Sequence, residues 1–307
     1  MRNTSSSIRS GPISPAPNSP RSWRATAPAT GGSVLSGRDG GGVSVTATAG
    51  KWGDLRVRVL SAAVMAAIGV VVVWAGGVWF HILVVFALGV MVWELAMMID
   101  AARPTRAMWL AVLTAAVLSG QLYTPEIWGF ALLAVVPLLG ALALPRHRLL
   151  FATYALGLQL AGWGLVQLRH DSAALLVWLV LVVIASDVLG YFAGRLLGGP
   201  KFWPRVSPKK TWSGTIAGWG GAAAVGLGMV WFAGANWSIV WASVIVGFAG
   251  QMGDIVESAF KRRMGVKDAS DLIPGHGGLM DRFDALMGAA LVLVGLMWLL
   301  GPAGVGL

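Results

Sequence analysis

The chain has 307 residues, of which 56% are hydrophobic and only 12% charged, with a formal net charge of +10 and no cysteine. Soluble domains carry about a quarter charged residues, so that class is excluded. The missing cysteine excludes a disulfide framework, a thiolate nucleophile and a Cys-ligated zinc site. The 16 Trp and 42 Gly suit a membrane protein, as interfacial belt residues and as close-packing residues.

In chain order, residues 1–55 come first as a Ser-, Pro-, Gly- and Arg-rich stretch with no acid before Asp39 and no apolar run. It lacks the pattern of a secretory signal and is expected as a disordered cytoplasmic tail, an organelle transit peptide being the weaker reading. From Arg58 apolar runs repeat. About nine reach helix-spanning length against the ~20 residues that a bilayer core requires. They fall near 58–76, 79–99, 107–123, 127–144, 149–168, 173–194, 212–233, 237–258 and 283–301. Open strands leave their backbone unsatisfied in lipid, so helices are expected throughout. The expected fold is an all-α polytopic membrane protein. Residues 56–170 form its N-terminal helices, and 171–307 its C-terminal, chemistry-bearing helices.

The cations set the orientation. They crowd into the tail and alternate loops: Arg103 and Arg106, Arg146 and Arg148, Arg195 to Lys210, and Lys261 to Arg282. The other side carries only Arg169. This asymmetry predicts a cytoplasmic N-terminus and supports the odd helix count. The basic charge is therefore a topology signal first, and nucleic acid is not needed to explain it.

Acids mark the chemistry. The sixth helix ends SDVLGYFAGRLLGG, with Asp187 about two turns inside the edge and Tyr191 on the same face. The eighth ends GQMGDIVESAF, with Asp254 and Glu257 on one face, and the ninth begins DRFD, with Asp281 and Asp284 again paired. Acids are expensive in an apolar setting, and a divalent cation is an economical compensation. Oxygen-only ligands favour Mg2+ over zinc. Glu94 stands alone in the second helix, where an acid more often pairs with a basic neighbour or a helix amide. Asp268 and Asp271 lie in a polar loop, where solvation is a plain alternative.

The second constellation is Ser207-Pro208-Lys209-Lys210-Thr211-Trp212-Ser213-Gly214. It is expected to open a membrane helix, whose N-terminus with two lysines and flanking hydroxyls attracts phosphate; interfacial snorkelling is the blander account. His276 sits in Pro-Gly-His-Gly-Gly, where glycines allow positive φ and turn backbone amides toward an anion. Phosphate contact is favoured there over metal ligation. His81, His147 and His170 are scattered and read as incidental.

Residues 258–284 read SAFKRRMGVKDASDLIPGHGGLMDRFD. Here the sequence resembles the phosphatidate cytidylyltransferases (CDP-diglyceride synthases). The resemblance rests on Ser258, Phe260, Lys261, Arg262, Lys267, Asp268, Ser270, Ile273, Pro274, His276, Gly277, Gly278, Leu279, Asp281, Arg282, Phe283 and Asp284. It extends upstream to Asp254 and Glu257, to SPKKTW, and to Asp187 and Tyr191, covering roughly the C-terminal half. One departure is Ser213, where the family commonly has Glu.

The resemblance implies CMP transfer from CTP to phosphatidic acid, giving CDP-diacylglycerol and pyrophosphate. It implies Mg2+ with a second cation such as K+ beside it, and a homodimer as the assembly to expect. Mapped onto this chain, Asp254 and Asp281 would hold the metal, with Asp284 and Asp187 as further ligands. Lys261, Arg262, Lys267, His276 and Arg282 would serve the transferring phosphates. Ser207, Lys209, Lys210, Thr211, Gly277, Gly278 and Tyr191 would bind substrate. The expected location is the cell membrane with the site facing the cytoplasm. A polytopic transporter with an intramembrane ion site is the rival reading; it predicts acids near the bilayer midplane and interrupted helices in paired halves.

Overall fold

A computed structural model describes residues 46–306 apart from 125, 274 and 276. Most of the expected tail lies outside the described residues; from Thr46 onward the chain is helical.

Ten helices follow in order: α1 (Thr46–Ala75), α2 (Gly77–Ile99), α3 (Pro104–Gly120), α4 (Glu126–Leu133), α5 (Val135–Ala143), α6 (Arg148–Asp171), α7 (Ala173–Leu196), α8 (Trp212–Ala233), α9 (Ser238–Met264) and α10 (Met280–Val305). Each apolar run of the sequence falls on one of these, except that 127–144 divides into α4 and α5 at Ala134. Among the described residues, α2 and α6 to α10 are long and apolar enough to cross a membrane. Val59–Ala75 and Trp128–Ala143 are shorter apolar stretches.

The fold is not purely helical. β1 (Lys201–Trp203) and β2 (Ser207–Thr211) form a small antiparallel hairpin, with Lys201 opposite Thr211 and Trp203 opposite Ser207. The lysine pair was expected at a helix N-terminus and instead lies on a strand. The physical reason is local: Pro204 and Pro208 have no N–H and restrict the residues before them. The helix waits until Thr211, whose hydroxyl accepts the Gly214 amide at 3.3 Å as an N-cap. On a strand, neighbouring side chains point to opposite faces. Lys210 accordingly turns inward while Lys209 stays exposed.

Two other features position the site. α9 runs six residues past its expected end and stops at Gly265, whose φ of 75° provides a left-handed C-cap. Lys261 is therefore helical and lies one turn beyond Glu257. α9 also crosses α10 at very short range: a Cβ on Gly253 would sit 2.5 Å from the Asp284 carbonyl oxygen. Only glycine permits that approach, and it brings Asp254 against the helix that carries Asp284.

The helix ends carry opposite chemistry. Side-chain contacts gather several connections: Arg106 at the start of α3 donates to the Ala143 carbonyl at the end of α5, Glu94 near the end of α2 meets Ser270 and the start of α10, and Lys210 between α7 and α8 meets Asp254 near the end of α9. At the other end stand exposed Trp74, Trp79, Trp128, Trp231, Trp237 and Trp298, the placement of an interfacial aromatic belt. Arg169, at the end of α6, is occupied structurally. It donates from Nε to the Val73 carbonyl at 2.8 Å, satisfying the open carbonyls at the end of α1. Trp178 is the largest fully buried side chain and donates to Ser243 Oγ at 2.9 Å.

Candidate active site

Asp254, Glu257 and Asp284 come together where α9 meets α10. Each offers a carboxylate oxygen, and the three oxygens lie within 4.8 Å of one another. The group is graded in depth. The Glu257 side chain is 1% exposed, whereas that of Asp254 is 38% exposed and forms the outer member.

Two lysines flank the acids. Lys210 reaches from β2, its Nζ 2.7 Å from Asp254 Oδ2 and donating to the Gln251 carbonyl at 3.0 Å. Lys261 lies between Glu257 Oε2 at 2.7 Å and Asp281 Oδ1 at 2.6 Å. The contact with Glu257 is an ion pair without aligned hydrogen-bond geometry, and Glu257 Oε1 has no hydrogen-bond donor. A buried carboxylate oxygen in that condition is costly unless a cation or proton reaches it. Three oxygens at this spacing, one of them orphaned, fit a hard divalent cation.

Asp281 lies beside the cluster, joined to it through Lys261. Its Oδ1 accepts from Lys261, and its Oδ2 accepts the backbone amides of Ala269 at 2.9 Å and Gly278 at 2.7 Å. It pins the loop between α9 and α10 to the start of α10. The turn glycines behave as their type suggests, with φ of 76° at Gly275 and 84° at Gly277. The anion that meets the Gly278 amide is Asp281 of the chain itself, while the Gly277 amide donates to the Ile273 carbonyl. His276 lies outside the described residues.

The other expected residues take separate places. Asp187 is exposed on α7, within electrostatic reach of Lys210 and Asp254. Tyr191, one turn on, accepts from Arg195 Nη1 at 2.8 Å. Ser207 opens β2 and Thr211 closes it. Lys209, Arg262, Lys267 and Arg282 are exposed at this end of the bundle. Ser213 donates to the Gly198 carbonyl and contacts Thr211 Oγ1 at 3.1 Å, so the hydroxyl at the departing position braces the base of the hairpin.

Some site residues were not evident in the sequence. Glu257 reads as an ordinary member of an acid pair until the helices are packed. Gln251 gives its carbonyl to Lys210 and its Nε2 to Ser186 Oγ at 3.1 Å. Glu94, on distant α2, is fully buried and caps α10. Its Oε1 accepts from Ser270 Oγ at 2.6 Å and the Leu279 amide at 2.8 Å, and its Oε2 accepts the Met280 amide at 2.7 Å. The helix-amide alternative for this acid is thus the one realised, but with a helix that begins 186 residues away.

Fold and site together define a polytopic helical membrane protein with a centre of carboxylates and lysines at one end of an apolar bundle. Residues 56–300 match the Cytidylyltransferase family. That match covers most of the chain, and the protein belongs to this family. It is similar to a phosphatidate cytidylyltransferase of Brucella abortus (strain 2308), with 34% identity over 256 residues, covering 78% of this chain and 92% of the relative. It is also similar to the phosphatidate cytidylyltransferase of Staphylococcus haemolyticus (strain JCSC1435), with 42% identity over 122 residues, or 39% of this chain and 47% of the relative.

Proposed function

We propose that the protein is a phosphatidate cytidylyltransferase, joining CTP and phosphatidic acid to give CDP-diacylglycerol and pyrophosphate. The observation that carries this reading is the Asp254, Glu257 and Asp284 cluster, set between Lys210 and Lys261 at one end of an apolar bundle. Such a centre suits a substrate whose phosphate is polar and whose tail is lipid.

A phosphate oxygen of phosphatidate forms a bond to the α-phosphorus of CTP. The α–β phosphoanhydride bond breaks, and pyrophosphate leaves with the bonding pair. The attacking group is already an anion, so no protein nucleophile is required. The residues act by positioning and by charge. Lys210 would hold Asp254 and present its ammonium toward an incoming phosphate. Lys209, Arg262, Lys267 and Arg282 would gather the triphosphate and the lipid phosphate, and His276 and Tyr191 would complete that shell. Asp281 would keep Lys261 and the glycine turn in place.

Asp254, Glu257 and Asp284 would hold Mg2+, with Asp187 near them and a second cation such as K+ beside it. When bound, the ion neutralises charge on the transferring phosphate. The lysine contacts and the orphaned Glu257 oxygen support this assignment.

Nine membrane crossings, a cytoplasmic N-terminus and a site facing the cytoplasm of the cell membrane complete the reading, supported by the cationic loops at the site end. CTP would then arrive from the cytosol and phosphatidate from the leaflet. Homodimerisation is part of the proposal. The transporter reading wants acids midway along paired helices, whereas Asp284 stands in the first turns of α10. The test is CMP transfer from labelled CTP to phosphatidate by the purified chain, with and without Mg2+. Absence of CDP-diacylglycerol with Mg2+ present would sink the proposal.

A further inference from the structure

The proposed reaction leaves Glu94 unused, yet its carboxylate accepts three hydrogen bonds. It is 0% exposed, on α2, and touches the signature loop through its carboxylate. Its bonds interleave with those of Asp281. The Ala269 amide goes to Asp281 and the Ser270 hydroxyl to Glu94. Across the loop, the Gly278 amide goes to Asp281, and the amides of Leu279 and Met280 go to Glu94. Two carboxylates from two halves of the chain therefore grip one loop, both at Ala269–Ser270 and at its junction with α10. The fit is close: a Cβ on Gly278 would sit 2.5 Å from Glu94 Oε1.

Asp281 in turn holds Lys261 against Glu257. The line from Glu94 to the carboxylate cluster thus passes through the loop ends, Asp281 and Lys261. A free helix N-terminus draws any anion; here a fixed internal anion takes up those amides and fixes where α10 begins.

We infer that Glu94 is a positioning residue for nucleotidyl transfer. By closing the loop between α9 and α10, it fixes Asp281, and through it Lys261, at the distance from Glu257 that the cluster requires. This rests on the cytidylyltransferase reading. It also gives the N-terminal half a part in the chemistry, although that half contributes no residue to the cluster itself.

The test uses the full chain in detergent with Glu94→Gln, Ser270→Ala and the double variant. Gln keeps the size but places an NH2 group against backbone donors. The expected result for Glu94→Gln is a fall in kcat of at least about tenfold with KM for CTP within about threefold. Amide exchange at Leu279 and Met280 should rise at least about tenfold. Ser270→Ala should lose less, and the double variant should be no slower than Glu94→Gln alone, because the Ser270 contact is one of those that Glu94→Gln already disrupts. Turnover of Glu94→Gln within about twofold of the parent would overturn the inference, as would losses that multiply in the double variant. If Glu94→Gln does not fold, Ser270→Ala decides the matter: unchanged turnover together with unchanged exchange overturns it. A parent protein that fails to convert CTP and phosphatidate refutes the functional reading instead, and the exchange readout still reports on the loop.

Discussion

Replacing Lys261 with Met removes one ammonium from between two carboxylates. The Lys261 side chain is 12% exposed, Glu257 1% and Asp281 6%. Both acids would then face each other without their shared cation. Removing one partner of a buried ion pair costs about 3–5 kcal/mol. Asp281 keeps the Ala269 and Gly278 amides, so most of the penalty falls on Glu257, whose oxygens have no hydrogen-bond donor. At about 2–4 °C per kcal/mol for a domain approaching this size, Lys261→Met should lower the unfolding midpoint by about 6–20 °C. Adding Glu257→Gln removes the stranded charge and should return at least half of that loss. Thermal unfolding of the detergent-solubilised protein, followed by intrinsic fluorescence, measures both. A Lys261→Met midpoint within about 2 °C of the parent, or a double variant less stable than the single, would refute the assignment of Lys261 as the bridge.

Further expectations follow from the same geometry. Chelation with EDTA should abolish CMP transfer and Mg2+ should restore it; Asp254→Asn should raise the Mg2+ concentration for half-maximal rate by about tenfold or more, and an unchanged Mg2+ titration argues against the cluster as the metal site. Lys210→Met should lower kcat/KM by at least about a hundredfold and Lys209→Met by less, since only Lys210 reaches Asp254; equal losses in steady-state kinetics contradict the strand geometry. Gly278→Ala should destabilise by about 1–3 kcal/mol because its methyl group meets Glu94, and a Gly278→Ala protein with the parent unfolding midpoint contradicts the close approach.

The helices were legible because apolar runs longer than a bilayer core have few other folds. The α9–α10 crossing was legible only in part: GDIVES and DRFD announced four acids, but not which of them would converge. That depended on the glycine contact at Gly253 and on α9 continuing through Lys261, which set Asp281 against Lys261 and grouped Glu257 with Asp254 and Asp284. The hairpin was hidden because SPKKT is too short for its alternation to stand out from a basic loop. Glu94 was the least visible. Its partners lie at Ser270 and beyond, and nothing local to α2 points to them. A lone acid in an apolar helix signals that some donor must meet it; only packing identifies the donor.

The tryptophan belt has a further consequence. Trp298 and Asp281 lie on the same helix, and 17 residues at about 1.5 Å each separate them by about 26 Å. That is close to the hydrocarbon thickness of a thin bilayer, about 27 Å. With one rim pinned by indole rings, the height of the opposite headgroup plane depends on the length of the surrounding acyl chains. Under the proposed orientation, bilayer thickness would become a control on catalysis: a longer-chain membrane would carry the lipid phosphate past the carboxylates, and a matched one would deliver it level with them. Turnover in nanodiscs of graded acyl length should pass through a maximum.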